Sequence, residues 1–149
     1  MTRTDTSSTA YGALLLRTSL GVMYIAHSLV LKGMTYGLAG TAQYFESLGL
    51  PAFLAYATFF AEFIGGVLLV LGVQSRWVAL ALVPILVGAL WVHAGNGWVF
   101  SAEGGGWEYP LYLIVLSVAQ ALLGDGAYAL SPSRPLPFAS ATTSLKPAA

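Results

Sequence analysis

The sequence predicts an all-α integral membrane protein built as an antiparallel bundle of four membrane-crossing helices. Three observations carry that reading. Of the 149 residues, 57% are hydrophobic and 8% are charged, against roughly 25% charged in an average soluble domain, and so few charges cannot cover a water-facing surface. Four apolar segments follow one another, each near the roughly 20 residues that a spanning helix needs. Within the second of them, between Pro51 and Gly72, stands a lone carboxylate, Glu62. A charge at bilayer depth costs on the order of 3 kcal/mol, so such a group faces a bundle interior and usually marks a functional site.

The first span is expected over residues 11–32. A secretory signal peptide is the rival reading and fits poorly, because the run is long, contains Arg17 and His27, and is followed by no convincing cleavage site. Within the loop 33–50, Thr41 to Leu48 reads as a short interfacial helix with Tyr44, Phe45 and Leu48 toward lipid. The second span, 51–72, and the fourth, 109–123, carry Pro51 and Pro110 in their first turns, where the missing N–H has no partner to lose. The third, 77–94, contains Pro84, which is expected to kink it. Lys32 and Arg76 read as snorkelling interface residues, and Trp77, Trp91, Trp98 and Trp107 as including aromatic-belt anchors. Residues 1–131 form one domain, and residues 132–149, rich in Pro, Ser, Ala and Thr, read as a disordered tail.

An even number of spans puts both termini on one side. That side holds Arg3, Arg76, Arg134 and Lys146, whereas the other has Lys32 alone beside Glu46, Glu103 and Glu108. The excess of basic residues places both termini in the cytoplasm. The absence of cysteine removes disulfides, iron–sulfur ligation and thiol chemistry. A net charge of zero without a basic run argues against nucleic acid.

The polar groups converge. Glu62 lies near the midplane of its span, His27 in the outer half of the first, His93 at the outer end of the third, and Glu108 with Tyr109 at the outer start of the fourth. Arg17, Tyr24 and Ser28, separated by seven and four residues, share one helical stripe with His27 beside it. Gly65 and Gly66, three and four residues after Glu62, let a helix or a flat ligand approach the carboxylate. These spacings predict a cavity lined by Tyr24, His27, Glu62 and Arg17, opening outward past Lys32, His93 and Glu108. The competing structural reading ties Glu62 to Arg17 as an interhelical ion pair. His27 and His93 sit at different depths and show no local ligand spacing, so neither haem nor metal is expected.

Several short motifs occur in a telling order: Leu16-Arg17, Gly21, His27 and Lys32; then Leu48-Gly49-Leu50-Pro51; then Glu62 with Gly65-Gly66. Leu71-Gly72, Ser75-Arg76, His93, Gly104-Gly105-Gly106 before Glu108-Tyr109-Pro110, and Gly124-Asp125-Gly126 before Leu130-Ser131 continue it. From Leu14 to Ser131 the chain resembles the DoxX family of small four-span membrane proteins, with Ser28 standing where the family pattern usually has Gly. The resemblance implies a bacterial inner-membrane protein engaged in quinone-linked redox work with a partner enzyme.

The two lines of argument meet in one expectation. The chain binds a quinone or quinol in its polar pocket through Arg17, Tyr24, His27, Glu62, His93, Glu108 and Tyr109, as the membrane subunit of a redox system. It carries no redox centre of its own, so any oxidoreductase activity needs the quinone and a partner that delivers electrons. A homo-oligomer is compatible with this reading. The alternative is a non-enzymatic scaffold or small lipophile carrier whose buried polar residues only fix packing. A proton-coupled transporter fits less well, because no inverted repeat is present.

Overall fold

The computed structural model describes residues 3–136, with side chains from residue 7. Among these residues there is no strand; five α-helices account for most of the chain. Helix α1 spans Arg3–Ile25 and runs directly into a π-helical segment, Ala26–Thr35. Helices α2 (Gly37–Ser47), α3 (Phe53–Leu71), α4 (Ser75–His93) and α5 (Glu108–Leu123) follow. Three continuous helical stretches are long and apolar enough to cross a bilayer: Ser7–Thr35, Phe53–Leu71 and Ser75–Asn96. The fourth apolar helix, Glu108–Leu123, has 16 residues, about 24 Å at 1.5 Å per residue.

The long helices close a ring, with α1 on α3, α3 on α4, α4 on α5, and α5 back on α1. Leu20, Tyr24, Leu69, Ala79, Leu82, Leu86 and Leu113 form the buried centre, while Leu15, Val22, Phe60, Ile64, Val115 and Leu122 are exposed on the outside. That inverted surface is what a lipid solvent demands. The α1–α3 contact is close because it is made of glycine. A Cβ on Gly66 would lie 2.7 Å from the Gly21 carbonyl oxygen, and one on Gly21 would lie 2.6 Å from that of Gly66. Gly65 faces Leu82 of α4. The glycines after Glu62 therefore seat helices, not a ligand.

At one end of the bundle, the clasp end, the chain is tied by buried charge. The Arg17 guanidinium, 1% exposed, donates to the carbonyls of Leu69 (2.9 Å), Val70 (2.6 Å), Asp125 (2.8 Å) and Ala127 (2.9 Å). Two of these carbonyls lie in the last turn of α3, where the helix dipole also favours a cation; the Leu69 carbonyl accepts the Gly72 N–H (3.1 Å) as well. Arg76 does the same for α5 through Ala121 and Leu122, so it is a helix cap where snorkelling was expected. Gly72, at φ +71°, turns the chain out of α3 in the left-handed conformation suited to glycine. Residues 71–74 then pair with 130–131 through Leu130 N–H to Leu71 O (3.2 Å), Ser131 N–H to Gly72 O (3.1 Å) and Gln74 N–H to Ser131 O (2.8 Å).

Asp125 completes the clasp. Its carboxylate accepts the Ser75 N–H that opens α4 (2.7 Å), the Ser133 N–H (2.8 Å) and the Ser133 hydroxyl (2.9 Å). The chain is thus packed beyond the expected tail boundary at 132, with Ser133 bound and Leu136 buried; residues 137–149 of the expected tail lie outside the described residues. Burial alone would push the Asp125 carboxyl up, but these hydrogen bonds outweigh it and hold the group below its ordinary range. A depressed carboxyl stabilises the fold above its unfolded pKa of about 4 and ceases to do so as pH falls through its lower folded value. The melting temperature of the detergent-solubilised protein should therefore fall on acidification below about pH 4, and Asp125→Asn should show a smaller fall than wild type.

Candidate functional site

The other end of the bundle holds a pocket of about 500 Å³. The π segment, α2, α3, α4 and α5 all contribute walls. Tyr24, His27, Lys32, Tyr44, Thr58, Glu62, His93 and Tyr109 are its polar or titratable lining, set among Leu54, Leu86, Trp91, Leu113 and other apolar residues. Five of the seven residues expected to bind a ligand, Tyr24, His27, Glu62, His93 and Tyr109, are thus brought to one cavity. Arg17 and Glu108 are not.

The separation of Arg17 has a physical cause. Its donors are taken up by backbone carbonyls at the clasp end, so it neither reaches the pocket nor pairs with Glu62. Glu108 turns away into the loop that precedes α5, where its Oε1 accepts the Phe100 N–H (2.8 Å).

The partner of Glu62 is Lys32. Lys32 Nζ donates to Glu62 Oε2 at 2.5 Å, with side-chain exposures of 17% and 7%, and this is the ion pair among the described residues. The snorkelling role expected of Lys32 is corrected by the way its helix is wound. In an α-helix, residues five apart point about 140° away from each other. In the π segment the bonding runs from residue i to i+5, as in Tyr36 N–H to Leu31 O (3.0 Å). Residues five apart then fall near one face, so His27 and Lys32 both line the cavity. At the start of this segment the Ser28 hydroxyl bonds back to the carbonyls of Tyr24 (2.9 Å) and Ile25 (3.1 Å). Such π turns are rare and concentrate at functional sites.

The remaining lining is positioned from several elements. The His27 ring stacks on Tyr109 of α5, with centroids 5.9 Å apart and planes 21° from parallel. His93 Nδ1 donates to the carbonyls of Gly104 (2.9 Å) and Gly105 (3.1 Å), and Asn96 Nδ2 donates to the same two oxygens. His93 therefore anchors the glycine loop, and in its neutral form leaves Nε2 as the acceptor. The Tyr24 ring forms part of the pocket wall, but its hydroxyl oxygen is itself sealed from solvent, as is that of Ser117 in α5. Helix α2 differs from the expected lipid-lying helix. Tyr44 is exposed, but Tyr44, Phe45 and Leu48 all line the cavity, and Thr41 Oγ1 ties α2 to the Lys32 carbonyl (3.3 Å). It covers the pocket. Among the described residues, no three His, Cys, Asp or Glu side chains gather as metal ligands.

The DoxX family model matches residues 12–95, from α1 to the end of α4. The chain is also similar to a Bacillus subtilis (strain 168) protein named "Putative oxidoreductase CatD", with 35% identity over 121 residues, covering 81% of this chain and 85% of that one. No solved structure matches it. With more than half its length inside the family model and a relative matched over most of both chains, this bundle belongs to the DoxX family.

Proposed function

We propose that the pocket binds the head of a quinone or quinol, and that the protein serves as the membrane subunit of a quinone-linked redox system. The Lys32–Glu62 pair beside His27, inside an apolar cavity, is the observation that supports this most. A volume of about 500 Å³ suits a substituted ring and the first part of its tail. The donor set suits it as well. Lys32 has two further N–H donors, and Glu62 has a second oxygen with no hydrogen bond among the described residues. Among the described residues His27 has no hydrogen-bond partner, and it presents one donor and one acceptor when neutral. Such a set can hold a carbonyl or a hydroxyl and keep a proton available at either.

When bound, a quinone accepts two electrons and two protons. The chain's own part is to orient the ring between His27 and the ion pair, to exclude water with α2, and to hold protons at Glu62 and His27. Electrons come from a partner; the relative's name, "Putative oxidoreductase CatD", supports redox work and no more. The excess of basic residues at the clasp end supports a bacterial inner-membrane setting with that end, and both termini, in the cytoplasm. One observation favours the scaffold or lipophile-carrier alternative, namely that Lys32 and Glu62 neutralise each other as an interhelical ion pair.

The test is direct. Protein purified in mild detergent is extracted for co-purifying quinone, then titrated with a decyl-tailed benzoquinone while tryptophan fluorescence is followed. Trp91 lines the pocket and should be quenched on binding, and His27→Ala should weaken the quenching by about tenfold. A sample that carries no quinone and shows no saturable quenching would favour the scaffold.

A further inference from the structure

We propose that the pocket loads sideways from the membrane, through a portal between α3 and α4 whose sill is Gly88, and that the bound ligand's apolar tail lies across that glycine. This rests on the reading of the cavity as a ligand site, and adds to it where the ligand passes and what its tail touches.

The cavity is not sealed from the bundle's outer surface. Pro84, Gly88 and Trp91 occupy one stripe of α4 at spacings of four and three residues. All three are exposed, and all three are also part of the cavity lining. Across from them α3 supplies Leu54 and Thr58. The two helices touch where Gly65 meets Leu82, and beyond that contact the cavity lies between them. Gly88 is the open point. A Cβ built there meets no atom within 4 Å, so the position does not need glycine for packing. Glycine inside a helix is unfavourable unless something else requires it. Here the missing side chain keeps the gap wide.

Position and chemistry define what passes. Gly88 lies five residues before the end of α4 at His93, about 7.5 Å along the helix axis, so the gap faces acyl chains. Phe45 and Leu48 of α2 add apolar lining to the same cavity. A ligand that came from water would have no use for an apolar side door. One with a flat polar head and a long apolar tail would seat its head beside Lys32 and Glu62 and leave the tail in the gap.

The experiment compares two probes, a decyl-tailed benzoquinone and the same ring without the tail, on wild type, Gly88→Phe and the neighbouring Val87→Phe. Val87 is exposed and does not line the cavity. Melting temperature in detergent verifies that each variant is folded. The expected result is that Gly88→Phe weakens the tailed probe by about tenfold or more and leaves the tailless one within about threefold, while Val87→Phe changes neither. Equal binding of the tailed probe by wild type and folded Gly88→Phe overturns the portal. Equal loss of both probes also overturns it, because the phenylalanine would then be filling the head site. If wild type binds neither probe, the ligand reading itself falls, and the portal with it.

Discussion

Arg17→Ala should be the most damaging single substitution in the bundle, lowering stability by about 3–5 kcal/mol. The guanidinium is 1% exposed and donates to four carbonyls from α3 and the chain after α5. Each charge-assisted bond contributes about 1.5–3 kcal/mol. They do not add independently, but their loss removes the tie between α3 and the chain after α5, and leaves the buried Asp125 carbonyl without its donor. Total stabilities of roughly 5–15 kcal/mol leave little room for that. Arg17→Lys should recover little, because an ammonium on a flexible stem cannot reproduce a rigid fork reaching carbonyls on two sides. The measurement is thermal or SDS-induced unfolding of purified protein in detergent. A variant within about 1 kcal/mol of wild type would mean that the carbonyls find other partners.

The second large effect concerns Lys32 and Glu62, and there the pattern across variants carries the information. Lys32→Met or Glu62→Gln alone leaves one buried charge without its counterpart, at a cost of about 3 kcal/mol or more. The double variant removes both and should return to within about 1 kcal/mol of wild type, since buried ion pairs can often be replaced by neutral residues at no net loss. Tailed-quinone binding should behave differently. It should fall in both singles and stay lost in the double, where fold and stability are restored. If the double variant binds the tailed quinone as wild type does, the pair is only an interhelical tie and the ligand's head is held by other residues.

Much of the architecture is legible in the order of residues because a bilayer imposes a single requirement, sustained apolarity, that composition reveals directly. The segment read as 51–72 is helix α3, Phe53–Leu71, and the segment read as 77–94 is helix α4, Ser75–His93. The convergence of His27, Glu62, His93 and Tyr109 also follows from depth alone. Depth, however, does not give direction. The sequence puts Lys32 at the cavity mouth, but its turn inward to Glu62 is invisible when faces are assigned with 3.6 residues per turn and follows only from the i to i+5 winding of Ala26–Thr35. The hint was present, in that His27 and Lys32 are five residues apart.

Arg17 was misplaced for a related reason. An intramembrane arginine invites a search for an acidic partner, yet backbone carbonyls of α3 and of the chain after α5 satisfy it equally well, and they leave no trace in side-chain identity. The same blindness hid Asp125, whose partners are backbone N–H groups and a serine in the stretch read as tail. Helix α2 shows a further limit. Its Tyr44, Phe45 and Leu48 suit either lipid or a cavity, and only the packing of neighbouring elements decides between them.

The neutrality of the Lys32–Glu62 couple has an electrical consequence. An isolated carboxylate halfway across the membrane would feel the transmembrane voltage, at up to roughly 2.3 kcal/mol per 100 mV for a full crossing. Two opposite charges held 2.5 Å apart present almost no net charge to that field. An uncharged guest can therefore settle beside them whether the cell is energised or depleted. On the proposed quinone reading, any voltage sensitivity would then have to enter with the protons and electrons that follow binding.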